Sequence, residues 1–195
     1  MRRSYHPALV LMALGALSGT LGTSFLDFNI GEAPQPGIYM VLTGLWFGLV
    51  VAFGLWRWGN SLPAALVTAV GATWLGWELA VNLALQFEQP WYKATSLPEG
   101  AKSYISGFLA GAVGAFTTWA GAASFTQPLR QPVVALAVTG VGALFGLLLP
   151  MTNSYDHPVI LLLPWQAAVA AMLGCWLAPE TELDRAVAMG PASGE

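Results

Sequence analysis

Charge is what this sequence has least of. Its 7 Lys and Arg and 10 Asp and Glu make up 9% of 195 residues, against roughly 25% in a typical soluble domain. So few charges cannot cover a solvated globular surface, and a net charge of −3 supplies no basic face for nucleic acid. Cysteine is nearly absent: Cys175 alone excludes an internal disulfide and gives no metal-ligand spacing. The two histidines, His6 and His157, precede prolines at opposite ends of predicted spans. That placement argues against paired haem ligation, and no His/Cys/carboxylate cluster has metal spacing. No phosphate loop and no nucleophile with a base partner can be found. The expectation is a non-enzyme with no cofactor and no metal.

What is abundant is apolar: 56% of the residues are hydrophobic, with 22 Gly and 9 Trp. Runs bounded by Pro, Gly and charge predict six membrane spans, at 7–26, 37–58, 61–87, 104–125, 132–151 and 158–178. The fold class expected is therefore all-α and polytopic. A transmembrane domain covers 1–179, and a polar, flexible tail covers 180–195. The N-terminal stretch has the outline of a signal peptide. Its apolar run continues to Phe25 and joins a repeat with later spans, so it is read as a retained helix. Arg2, Arg3, Arg57, Arg130 and Arg185 fall on the side shared by both termini, and Lys93 and Lys102 on the other. The bias places both termini in the cytoplasm of a cell (inner) membrane.

The odd spans repeat a pattern. "HPALVLMALGALSG", "LPAALVTAVGATWLG" and "QPVVALAVTGVGALFG" each open on a proline and carry a bulky residue followed by Gly-Ala. The triplets are Leu14-Gly15-Ala16, Val70-Gly71-Ala72 and Val141-Gly142-Ala143. Proline at a first helical turn costs no hydrogen bond, and glycine lets helices approach closely in lipid. The repeat predicts three helix hairpins around a pseudo-threefold axis, with the odd helices sharing the central line. Leu14, Val70 and Val141 would then form an apolar constriction, with Gly15, Gly71 and Gly142 making room around it.

These residues resemble a known family. "GNSLPAALVTAVGATWL" looks like the third-helix region of the acetate uptake transporters (the acetate/succinate permease family), and "LMALGAL" is similar to their first helix. "GLWFGLVVAFG" loosely matches the second. The family's "NPAPLGL" signature is reduced here to "HPALVL", with His6 in place of asparagine. The resemblance implies a pore lined by the first, third and fifth helices and narrowed by a ring that falls on Leu14, Val70 and Val141. It also implies a mouth near His6, Pro7 and Asn60, and a ring-shaped homo-oligomer. Aliphatics replace the family's aromatic ring members, which implies a wider opening.

Glu78 is the one acid expected inside a span, and such a residue is a functional candidate by default. It is read as a candidate proton relay or as an interfacial residue. Thr20, Thr23, Ser24, Thr68, Thr73, Asn82 and Thr139 are the polar groups the odd helices offer. The leading reading is a transporter or channel for small monocarboxylates such as acetate, with proton coupling left open. A urea or amide channel and a non-transporting assembly subunit are the alternatives. The expected partners are the bilayer, a small carboxylate and further copies of the chain. Reporter fusions at the C-terminus should be active on the cytoplasmic side only, and periplasmic activity from an intact fusion would overturn the topology.

Overall fold

The computed structural model describes residues 6–24, 27–33, 35–59, 62–87 and 96–177. The predicted tail, 180–195, lies outside these residues. Seven helices form: α1 (His6–Ser24), α2 (Val41–Trp58), α3 (Pro63–Gln86), α4 (Glu99–Ala123), α5 (Pro132–Gly146), α6 (Leu149–Tyr155) and α7 (Val159–Leu177). α5 and α6 together make one span, so six helical stretches are long and apolar enough to cross a membrane. Among the described residues no strand forms, and Ile30 and Ile38 make one isolated antiparallel bridge.

Three spans differ from the sequence reading. α2 starts at Val41 rather than 37, and residues 37–40 belong to the loop before it. The fourth helix starts at Glu99 rather than 104, immediately after Pro98. Lys102 suggested a polar loop, yet it is buried within the first turns of α4. The fifth span breaks at Leu147–Leu148. Proline at 150 has no N–H for the Gly146 carbonyl and crowds it. The chain tightens there into shorter-range bonds, Leu147 N to Leu144 O at 3.2 Å and Leu148 N to Phe145 O at 3.1 Å. α6 then ends on Asp156 in the left-handed conformation, at φ 53°.

The spans pack in chain order around a ring: α1 on α2, α2 on α3, α3 on α4, α4 on α5, α5 on α7, and α7 back onto α1. The closing pair is antiparallel, because Gly174 meets Ala8, Gly15 meets Gln166 and Gly19 meets Leu162. The two ends of the described chain therefore lie on one face, called here the terminal face; the opposite one is the distal face. α2, α4 and α7 touch one another across the middle, whereas α1, α3 and α5 form no packed pairs. The expectation that odd helices share the central line is thereby corrected. Phe47 of α2 meets Trp165 of α7 edge-on, with ring centroids 5.6 Å apart. From that pair toward the terminal face, Val51, Leu55, Val169 and Leu173 fill the interior without exposure. Outward-facing side chains such as Leu136, 75% exposed, supply the lipid surface.

Glycine carries the seam between α4 and α5. A methyl group on Gly142 would overlap the Ala115 side chain and lie 2.6 Å from the Gly111 carbonyl oxygen. One on Gly146 would overlap the Gly107 carbonyl, whereas Gly140 on the same helix faces open space. Gly142→Ala should therefore destabilise the protein by about 1–3 kcal/mol through overpacking. Gly140→Ala should be neutral, or gain up to about 1 kcal/mol of helix propensity. Thermal melting in detergent reads the difference, and equal melting temperatures would show that the seam does not depend on close approach.

Candidate functional site

Each sequence-predicted residue can now be placed. Gly15 packs on the Gln166–Ala167 backbone of α7, and Gly142 on Gly111 and Ala115 of α4. Gly71 faces open space on the outside of the ring. Leu14, Val70 and Val141 are each half-buried, and the even helices meet where their ring would have to be. The three triplets thus serve separate surfaces and form no common constriction. Val70 instead lies against Gly48 of α2, where a methyl group on the glycine would stand 3.1 Å from the Val70 Cα. His6 is exposed on the terminal face, with its ring edge-on to Trp58 at 6.1 Å. Pro7 is buried beside Gly174. Asn60 lies outside the described residues, as do Arg2, Arg3, Lys93, Arg185 and the Ser24 side chain.

The hydroxyls expected to line a path mostly satisfy their own helices. Thr20 donates to Ala16 O at 2.9 Å, Thr68 to Ala64 O at 2.9 Å, and Thr23 to Thr20 O at 2.9 Å. Thr73 Oγ1 and Thr139 Oγ1 are buried without a hydrogen-bond partner among the described residues.

Glu78 proves to be part of a clamp. It is 7% exposed, and its Oε2 accepts the Tyr39 N–H at 2.8 Å. One residue earlier, the Trp77 indole N–H donates to Tyr39 O at 3.0 Å. One turn later, Asn82 Nδ2 donates to Gly37 O at 2.8 Å while its Oδ1 accepts the Gly37 N–H at 3.0 Å. Two consecutive turns of α3 thus grip residues 37–39 of the loop before α2. The loop in turn supplies a remote cap for that helix. Asp27 accepts from the Leu42 N–H at 2.8 Å, the Thr43 N–H at 3.1 Å and the Thr43 hydroxyl at 2.6 Å. A carboxylate at a helix N-terminus is stabilising, since the first-turn N–H groups have no partner in the helix. Glu78 Oε1 is buried and has no partner among the described residues.

This clamp borders a cavity of about 220 Å³. Trp77, Ala80, Val81, Ala84 and Leu85 of α3 form one wall, and Gly107, Ala110 and Gly111 of α4 the next. Gly146, Leu149 and Thr152 of the broken span, and Leu161, Leu162 and Trp165 of α7, complete it. α3 and α7 are not neighbours around the ring, so a cavity touching both lies inside the bundle. It is half-open, and Asn153 and Pro158, both exposed, line its distal end. From Pro158 to Trp165 along α7 is about 10 Å at 1.5 Å per residue, roughly a third of the 30 Å hydrocarbon core. Its lining is almost wholly apolar, with no carboxylate or cation among the described lining residues.

Two adjacent residues, Trp165 in the cavity lining and Gln166 beside it, were not singled out from the sequence. Trp165 holds its indole N–H on the Gly142 carbonyl at 3.0 Å. Gln166 is fully buried; its Oε1 accepts from the Ser18 hydroxyl, and its Nε2 has no partner among the described residues. A usable signal was present: Gln166 is the only amide in the sixth span. Comparison with protein-family models, with curated proteins and with solved structures finds no match.

The clamp and the relay reading make different predictions for Glu78. Glu78→Ala leaves the buried Tyr39 N–H unpaired and should cost about 1–3 kcal/mol. Glu78→Gln keeps an acceptor oxygen and should melt close to wild type. A Glu78→Ala protein as stable as wild type would remove the clamp.

Proposed function

We propose that the chain is a membrane transporter for small monocarboxylic acids that enter from the distal face in their uncharged form. The observation that carries this reading is the one-sided cavity: a half-open apolar chamber inside the ring, closed below by the Phe47–Trp165 pair and the side chains beneath it. A carrier resting with one side open and the other shut has such a shape. The apolar lining favours the neutral acid, since burying an unpaired carboxylate is prohibitive. The resemblance of the first three spans to acetate uptake transporters points to the same solute class. The reading keeps three hairpins about a pseudo-threefold axis, with the even spans innermost. It also keeps a homo-oligomer, for which the uncovered glycines Gly71 and Gly140 offer close-contact faces. The termini face the cytoplasm in this reading, so solute enters from outside the cell membrane.

One observation favours the second reading, an assembly subunit without transport: the interior toward the terminal face is dry and closely packed. Uptake of labelled acetate and of labelled urea into proteoliposomes separates the readings. Acid uptake should rise as pH falls, because the neutral fraction grows about tenfold per pH unit above a carboxyl pKa of about 4–5. Urea flux should stay at the level of protein-free liposomes. Folded protein that moves no acid at either pH would leave the assembly reading standing, and pH-independent urea flux would replace acid with amide transport.

A further inference from the structure

We propose that the cavity is an acyl-chain site, so that the preferred substrate is a monocarboxylic acid whose apolar tail is much longer than the methyl of acetate. This rests on reading the cavity as the substrate site. Size is the first reason. An apolar cavity of about 150 Å³ stays dry and takes a ligand as large as benzene, and this one measures about 220 Å³. Acetate would leave most of it empty, whereas a medium-length chain fills it and gains about 0.8 kcal/mol for each buried methylene.

Shape and chemistry agree. Among the described lining residues the hydroxyl and amide side chains, Thr152 and Asn153, stand at the rim, so an amphiphile is held tail-inward with its carboxyl group at the wet interface. The walls of the inner end are fixed: Trp77 is tied to Tyr39 O and Trp165 to Gly142 O, each at 3.0 Å. A bilayer phospholipid is the other source of an acyl chain, and the seams argue against it. The α4–α5 seam is closed by glycine backbones in direct contact, Gly107 on Gly146 and Gly111 on Gly142. The α3–α4 seam is closed by Gly76 on Thr117 and Gly114 beside Ala80. These two seams leave no lateral slot at those glycines for a chain still attached to a lipid, and in this proposal the occupant enters end-on from the distal interface.

Bromine on an acyl chain quenches tryptophan at contact, and two tryptophans line the cavity. Purified full-length protein in nanodiscs should show saturable quenching by decanoic acid brominated at the chain end. Unbrominated decanoate should compete; acetate, which lacks the tail, should compete only at far higher concentration. Ala84→Phe fills the cavity and should weaken the binding at least about tenfold, and Leu85→Trp, nearer the mouth, serves if that variant melts early. Leu136→Phe, on the lipid face, should bind as wild type does. The absence of saturable quenching, or equal binding by Ala84→Phe and Leu85→Trp when both are folded, overturns the proposal. So does quenching by brominated phospholipid that decanoate relieves, since the occupant is then a bilayer lipid. Labelled decanoate uptake separates the two readings: binding without uptake leaves the acyl site standing and removes transport. Acetate uptake without chain binding removes the acyl site and keeps transport.

Discussion

Backbone contact at glycine is the constraint from which the rest of this bundle follows. Lipid is as apolar as the helices, so association depends on how closely surfaces fit. The closest backbone-to-backbone approaches are α1 on α7, through Gly15, Gly19 and Gly174, and α4 on α5, through Gly107, Gly111, Gly142 and Gly146. The first closes the ring by joining the first span to the last. The second fixes the α5 backbone just before proline at 150 breaks it. Because the α4–α5 seam is so close, α6 departs from a fixed point, and the space it leaves becomes the upper part of the cavity. The sequence places a small residue where a neighbour approaches and a bulky one where lipid does, as Gly142 and Leu144 do on one helix.

Polar groups in this chain serve mainly to position backbone. A loop that reaches into the end of a bundle brings N–H and C=O groups that water no longer reaches, and each needs a partner. Trp77, Glu78 and Asn82 answer Gly37 and Tyr39, while Asp27 answers the open first turn of α2. The Tyr39 side chain closes the same loop on itself by donating its hydroxyl to the Gln35 carbonyl. The result is a rigid shelf beside the cavity, with the adjacent Met40 in its wall. Acidity at membrane depth normally signals transport chemistry. Here the geometry first gives it a structural task.

Span number and type were legible because they depend on local composition: apolar length, proline at the first turn, arginine beyond the ends. Two of the three repeated Gly-Ala triplets mark contacts, but which element each would meet was not legible. A glycine marks a close approach without saying from which side. Gly15 meets α7, Gly142 meets α4 and Gly71 meets nothing, so three like motifs led to one ring that does not exist. Lys102 misled the start of α4 because a charged residue reads as loop when its burial depends on distant chain. The cavity could not be read at all. It is a gap between α3, α4, α6 and α7, and a gap belongs to no segment.

The same packing also decides which part of the bundle can yield if solute is to cross. Below the cavity stand Phe47 and Trp165, then Gln166, whose Nε2 lacks a partner among the described residues. Opening there by moving α7 would break the α1–α7 glycine contacts and expose the Ser18–Gln166 pair to lipid. That is the costliest motion available, because hydrocarbon offers those groups no partner. α6 is different. It spans Leu149–Tyr155, has no buried residue, and is already separated from α5 by the break at Leu147–Leu148. Proline at 150 has removed the hydrogen bond that would otherwise resist bending. A swing of α6 changes the width of the distal mouth and leaves the glycine seams of α1–α7 and the lower α4–α5 contact intact. The mouth is therefore the soft element of this fold and the aromatic floor the hard one, so access to the cavity is set at the distal rim.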